Sequence, residues 1–416
     1  MKSIHYKILS SAAALVFLAA CSTGSMAPSS MSASDAPMLS QVGNPAYAEL
    51  DTYKQLLSTS GDEAAKLAAD KAKADNMITW QTAEGGFYKY IGDDKADAYK
   101  TAWAKGVKDK KGFTNKSREW VGENGRDLGT IDNDATVSEL QFLADVYKRS
   151  GDAKYRDAAR RTLDFLLTMQ YPSGGFPQVY PKRVVATYSN EVTFNDDAMV
   201  RVLIVLDQVA KQKAPLDGDL FTAEQQAKVV SAVNKGVDFI LKAQIVQNGV
   251  KTVWCAQHDP VTYAPKQGRS YEYPSKSGKE SINVVAFLMT RPQTPEIKAA
   301  VKAAIAWYKG SARVADTAYV KVPKGNTDLN YNPIQRQPGS SMWYRFYELN
   351  SDTPIFSGRQ PKGVPQEVAC TKPEPFTDCR GKQNDIMQIE AERRFGYQWG
   401  GEYGNQLTAY TDTVGY

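Results

Sequence analysis

Histidine is almost missing from this chain of 416 residues: His5 and His258 are the only two. A His-rich zinc site is therefore excluded, and a Ser-His-Asp triad would have to use His258. Cysteine is scarce too, with four. Neither sign of charge dominates. Lys plus Arg number 51 against 46 Asp plus Glu, for a net +5, and loss of an N-terminal signal carrying Lys2 and Lys7 would lower this by 2. So mild a balance makes no electrostatic case for a nucleic-acid partner. With 42% hydrophobic and 23% charged side chains, the chain is too polar for a membrane-spanning protein and long enough to bury a sizeable core.

The one apolar run of note is at the start. Lys2 and Lys7 precede Ala12-Ala13-Ala14-Leu15-Val16-Phe17, and Leu18-Ala19-Ala20-Cys21 follows. This resembles a bacterial lipoprotein signal, which implies cleavage before Cys21, acylation of its thiol and export, with the membrane met only through the lipid. Ser22 at the next position favours the outer membrane. Residues 21–46 are rich in Ser, Ala, Met and Pro and read as a flexible tether, leaving 47–416 as one folded domain. Export puts Cys255, Cys370 and Cys379 in an oxidising compartment. Cys370 and Cys379 enclose the short loop TKPEPFTD and are expected to form a disulfide, with Cys255 a buried thiol beside Trp254. A nucleophilic Cys255 near His258 is the sharper alternative, but nothing else in the chain suggests thiol chemistry.

Apolar residues recur at helical spacing over 136–170, with Ser150-Gly151-Asp152 punctuating a helical hairpin, and again over 197–211, 223–243 (capped by Thr222), 281–289 and 295–309. Few segments alternate with period two. Aligning helix ends reveals a repeat: Trp80-Gln81 before Gly85-Gly86-Phe87, Met169-Gln170 before Gly174-Gly175-Phe176, and Ala243-Gln244 before Gly249 and Trp254. Repeated helix pairs of this kind stack into a solenoid or close into a toroid with their loops on one face. The turns could be packing devices between helices. Alternatively, their aromatic rings could stack on a sugar, the natural ligand for an exported protein with 23 Tyr, 14 Phe and 7 Trp.

Two acidic clusters sit at expected helix starts: Asp132, Asn133 and Asp134 before Thr136, and Asn195, Asp196 and Asp197 before Met199. Capping would need one such residue at each place. Three in a row, twice, supply oxygen ligands suited to a hard cation such as calcium. Downstream loops carry Lys266, Arg269, Tyr271, Lys276, Lys279 and Ser281, then Arg345 and Arg359. Cations beside such oxygen ligands suit a polyanionic chain, with Arg forking onto carboxylates.

The segments WQTAEGGFYKY, TIDNDATVSEL, MQYPSGGFPQVYP, FNDDAMVRVL, VWCAQHDPVTYAP, GRSYEYPS and FYELNSDTPIFSGR together resemble the motif series of the family 10 polysaccharide lyases, in order and across nearly the whole folded part. The resemblance implies an all-α dominated fold, an α/α toroid (an incomplete α/α barrel) with long loops and a few short strands on the binding face. It also implies calcium-dependent cleavage of polygalacturonate by β-elimination. Carried over by motif, Arg359 would be the Brønsted base, and Arg269 and Arg345 would grip substrate carboxylates. Lys266, Tyr271, Trp254 and Ser281 would complete the substrate site. Asn133, Asp134 and Asp196 would hold Ca2+ together with the substrate, with Asp132 and Asp197 as neighbouring candidates. The departure from the family pattern is Gln360-Pro361 after Arg359, where Asp and Gly are expected.

The chemistry suits the inventory. β-Elimination removes the proton at C5 beside the uronate carboxylate and expels the C4 oxygen, so cations that neutralise the enolate-like charge lower the barrier. An Arg base implies activity rising into alkaline pH, since guanidinium ordinarily stays protonated. Two other readings stand beside this one. An inverting glycoside hydrolase would use Asp134 and Asp196, roughly 6.5–9.5 Å apart. A non-catalytic glycan-binding lipoprotein would need no base. The expected state is a monomer.

Overall fold

The computed structural model describes residues 38–47, 52–88, 123–184, 187–323, 325, 326, 328, 330–359 and 381–416. Cys21, Cys370 and Cys379 lie outside them, as do Gln360 and Pro361. Helix α1 (Glu63–Thr79) is followed by α2 (Val137–Ser150), α3 (Ala153–Met169), α4 (Ala198–Ala210), α5 (Ala223–Ala243), α6 (Ser281–Met289) and α7 (Pro295–Lys309). Short α8 (Ala391–Gly396) and α9 (Tyr403–Val414) end the chain. The expected helices over 136–170, 197–211, 223–243, 281–289 and 295–309 are all present. Thr222 caps α5 through a reciprocal box with Gln225.

The helices form two layers. The inner ones, α2, α4 and α6, pack against one another, and α3, α5 and α7 lie outside them, so α2–α3, α4–α5 and α6–α7 are successive hairpins of an α/α toroid. Inner α4 and α6 are buried along nearly their whole length, which requires the predominantly apolar runs AMVRVLIVLDQVA and SINVVAFLM. Among the described residues no helix is long and apolar enough to cross a membrane.

The repeated Gln and Gly-Gly turns are the seams between hairpins. Gln81 Nε2 donates to Gly85 O (2.9 Å) and to Ala158 O on α3 (3.0 Å). Gln170 does the same for Gly174 O and Ala232 O on α5 (both 2.9 Å), and Gln244 for Thr252 O and Ala300 O on α7 (both 2.9 Å). Each Gln thus ties the turn after one outer helix to the backbone of the next. Gly85 and Gly174 have φ of +98° and +99°, and a Cβ there would meet Arg161 O at 2.2 Å or Lys235 O at 2.0 Å. Only glycine fits a turn pressed that closely onto a neighbouring helix. Phe87, Phe176 and Trp254 are buried in the core. The sequence reading of these rings as sugar platforms is therefore corrected: they fill space between hairpins.

Two features were not expected from the sequence. Strands Val314–Tyr319 and Ile334–Tyr344 form an antiparallel hairpin with a register shift between Arg336 and Ser341. The last twenty residues do more than cover surface, since Trp399 is fully buried and α9 packs on α6 and α7.

Candidate active site

The loops of the toroid are tied down by two-stranded ladders that place the polar residues. Strand Val192–Thr193 pairs with Gln257–His258, which pairs with Pro265–Lys266. Phe194 N and Asn195 N both donate to Ala256 O (2.8 and 3.0 Å), fixing the acidic turn that follows. Lys276–Ser277 pairs with Phe346–Tyr347, and Phe356–Ser357 with Lys382–Gln383, so the loops bearing Lys279, Arg345 and Arg359 are anchored too. Beneath them lies a small core of Ala256, Tyr271, Phe346, Ile355, Phe356, Ile386, Ile389, Tyr397 and Trp399.

Both acidic turns have backbone that side chains rarely adopt. Asn133, Asp134 and Thr136 have φ of 49°, 63° and 68°, and Asp196 and Asp197 have 50° and 61°. Such conformations persist in non-glycine residues where the surroundings impose them, and they concentrate at functional sites. Neither turn caps its helix: Thr136 and Asp197 make no side-chain cap bond to α2 and α4. Thr136 Oγ1 instead donates to Thr130 O (2.7 Å) and accepts from Phe87 N (3.0 Å).

The second turn is the centre of a charge network. Asp196 Oδ1 accepts from Lys279 Nζ at 3.0 Å and lies 3.5 Å from Arg345 Nη2, which also donates to Asn195 Oδ1 (3.2 Å) and to Glu280. Burial would raise the Asp196 carboxyl, but Lys279 and Arg345 outweigh it and hold it down at about 2. Next to it, Asp197 is pushed up to about 7 by burial, with Glu280 adding to the effect and Lys279 and Arg201 opposing it. Its remaining open surface faces a cavity of about 340 Å3 shared with Arg201, Lys279 and Glu402. Asp134 of the first turn pairs with Arg201 on α4.

A second network gathers the arginines. The Tyr271 ring has the guanidinium carbons of Arg269, Arg359 and Arg393 at 5.0, 5.2 and 4.9 Å from its centroid. Arg269 is also 5.5 Å from the Tyr397 ring and is bound to Glu272, whose Oε2 accepts the Arg269 backbone N–H at 2.8 Å. Tyr397 OH donates to the same Glu272 (2.7 Å). Burial would raise Glu272, yet the paired Arg269 holds it below the usual carboxylate range. Arg359 is half exposed, with its backbone N–H on Glu390 (2.5 Å) and its Nε 3.7 Å from Glu392, which also binds Arg393.

Not every residue expected at the site is there as expected. Trp254 is fully buried and donates from Nε1 to Ile240 O (2.7 Å), and Ser281 Oγ bonds the Trp254 backbone. Both are structural, because no substrate reaches an enclosed ring or hydroxyl. Tyr271 is only 1% exposed, so it serves the arginines and not a sugar face. Lys266 pairs with Glu191 (3.7 Å) and Asp259 (3.6 Å), outside both networks. Cys255 and His258 are enclosed: the imidazole accepts from Cys255 N (2.9 Å) and binds Tyr263 O (2.8 Å), while burial raises the thiol and lowers His258 to about 4. Thiol or triad chemistry is excluded on that geometry. Glu272, Glu280, Tyr397 and Arg393 are site residues the sequence reading missed. The two glutamates lie inside or beside motifs it quoted, but each also has a partner distant in sequence, Tyr397 for Glu272 and Arg345 for Glu280.

The acidic turns offer only oxygen donors, the chemistry a hard cation takes. Among the described residues no three His, Cys, Asp or Glu side chains converge as a self-sufficient metal site. A cation here would need further oxygens from substrate and water.

Comparison with known proteins agrees with this geometry. The model of the pectic acid lyase family matches residues 81–408. A family 10 polysaccharide lyase from Cellvibrio cellulosa superposes with a TM-score of 0.71 at 39% identity, over 91% of this chain and 98% of that one. An aspartate-to-alanine variant of that enzyme in complex with trigalacturonic acid gives the same score and identity, over 91% of this chain and 100% of that one. None of the curated proteins compared matches. An acidic turn tied to Lys279 and Arg345 among the loops of a toroid, with a family match over most of the domain, makes this chain a polysaccharide lyase that belongs to the pectic acid lyase family, the family 10 polysaccharide lyases.

Proposed function

We propose that the protein is a pectate lyase that cleaves α-1,4-polygalacturonate by calcium-dependent β-elimination. The observation that carries this is the meeting of the strained acidic turn at Asp196 with Lys279 and Arg345, where the charge of Arg269 from the Tyr271 cluster is also felt. Such a surface binds carboxylates through cations and leaves oxygen donors for a metal. With Asp196 held down at about 2, an inverting hydrolase could use it as the base but not as the acid.

Asn133, Asp134 and Asp196, with Asp132 and Asp197 beside them, would hold calcium together with substrate oxygens. The ion would supply charge neutralisation at the uronate carboxylate. Lys279 and Arg345 hold Asp196 in place before substrate arrives; an incoming uronate carboxylate would share the more open Lys279, whereas Arg345, expected from the sequence to grip substrate, is buried against Glu280 and orients Asp196 from behind. The base takes the C5 proton, the C4=C5 bond forms, and the C4–O bond breaks, its oxygen taking a proton from water.

Arg359, at the end of the SGR motif, is the proposed base. It is half exposed, with its Glu392 contact at 3.7 Å, so it can turn toward a substrate. Arg269 is suited to gripping a carboxylate and not to the base role: burial would lower it, but the Glu272 carboxylate that fixes it outweighs this, raises it and holds its proton. Single Arg359→Ala and Arg269→Ala variants, assayed on polygalacturonate at alkaline pH by ultraviolet absorbance of the unsaturated product, separate the two roles. The base variant loses about 10²–10⁴ in kcat, whereas a carboxylate-binding variant chiefly raises KM. Saturated reducing ends as the product would overturn elimination, and activity unchanged in EGTA would overturn calcium dependence.

The N-terminal sequence supports export and lipid anchoring through Cys21 at the outer membrane, with the enzyme acting as a tethered monomer. Metabolic labelling with a palmitate analogue, lost in Cys21→Ser, tests the anchor.

A further inference from the structure

We infer that Tyr271 is the positioning residue of the arginine cluster, its buried ring setting the spacing of Arg269, Arg359 and Arg393. The three guanidiniums come from separate segments: the loop after strand Pro265–Lys266, the chain after strand Phe356–Ser357, and helix α8. No shared backbone fixes their separation, and like charges on long side chains drive apart. What they share is one ring, with all three guanidinium carbons 4.9–5.2 Å from its centroid. An aromatic quadrupole attracts cations, so it opposes that divergence.

The carboxylates present do not do this alone. Glu272 holds Arg269, and Glu392 holds Arg393 and stands 3.7 Å from Arg359, so each binds part of the cluster. Tyr271 touches all of it. The ring is itself fixed, 1% exposed and edge-on to Tyr397 at 5.2 Å. Its hydroxyl is buried and, among the described residues, has no hydrogen-bond partner. The position therefore uses the ring and not the phenol, and phenylalanine should serve equally well.

The test compares Tyr271→Phe with Tyr271→Leu and Tyr271→Met, the methionine filling most of the lost volume without a ring. In the free protein, arginine Nε–Hε NMR signals displaced by the ring should persist in the Phe variant and move in the Leu and Met variants. The kinetic arm rests on the pectate lyase reading. There the Phe variant keeps kcat and KM within about 2-fold, while Leu and Met lose about 10-fold or more in kcat, as expected when reacting groups shift by about 1 Å. Unchanged arginine signals in both ringless variants overturn the inference, and so does a Phe variant as impaired as Leu, which would make the hydroxyl the working group. If the Leu variant fails to fold, the Met variant decides. An inactive wild type would sink the pectate lyase reading, while the NMR arm would still judge the ring.

Discussion

Glu272 carries a role that its neighbours in sequence do not announce. Its carboxylate binds the Arg269 side chain and backbone and accepts from Tyr397 OH, 125 residues away. Glu272→Gln should destabilise the protein by about 2 kcal/mol at neutral pH, as measured by urea unfolding. Because the folded carboxyl lies below its ordinary value of 4.5, its contribution is whole above that pH and fades as pH falls through the folded value. The gap between variant and wild type should therefore close in acid, and a constant gap would refute the pairing. His258 gives a second pH window. Folding lowers it from 6.5 to about 4, so the unfolded chain binds one more proton between these values, and stability should fall by at most about 3 kcal/mol as pH drops across them. His258→Gln should be less stable at pH 7 yet show a flatter slope. At this scale the sequence named Arg269, Arg345, Arg359 and the acidic turns, because clustered charge in Gly- and Pro-rich loops is visible locally. Trp254 misled, because an aromatic beside a glycine turn reads the same whether it faces solvent or core.

The outer helices were legible because each buries one stripe, whose period the sequence displays, and inner α4 and α6 because they are near-continuous apolar runs. Hairpin 314–344 was not legible. Its strands bury few residues in alternation, because the outer part is a surface ribbon and only the end at Ser341–Trp343 is buried, where the ribbon pairs with Gly400–Gly401. The Gln seams were visible as a repeat but not as a mechanism, since their acceptors are carbonyls of the next outer helix. Substitutions can separate the parts of a seam. Gln170→Leu leaves Gly174 O and Ala232 O without their donor and should remove about 1–3 kcal/mol of stability. Gly174→Ala adds a Cβ 2.0 Å from Lys235 O at φ +99° and should remove about 3 kcal/mol or more. Gly249→Ala, at φ +81° with no atom within 4 Å of the added Cβ, should lose only about 1 kcal/mol. Equal losses at the two glycines, read by thermal unfolding, would mean that the close approach to the outer helix contributes nothing.

Across the whole molecule, the first and last described segments meet over the inner helices. Asn44 Nδ2 donates to Ala286 O on α6 (2.8 Å), Tyr47 OH bonds Thr290 at the end of that helix (3.1 Å), and Tyr410 OH on α9 donates to Ser40 O. Pro45 and Ala46 are buried and line the cavity that Asp197 and Lys279 share. The residues just before Pro45, assigned by composition to the tether, thus already grip the domain, and they bring the N-terminal segment to the wall of the acidic site. A tether is free to vary in length and a strap is not, so truncation distinguishes them. Removing residues 1–37 should leave unfolding and turnover of soluble polymer unchanged while releasing the protein from the membrane fraction. Removing residues 1–47 should lower stability by about 3 kcal/mol, from the three lost hydrogen bonds and the exposure of apolar surface on α6 and α9, and should weaken substrate turnover by opening the cavity under Asp197. If both truncations behave alike, either the strap is not holding the inner helices closed or the tether is part of the folded domain, and the first truncation's own transition says which.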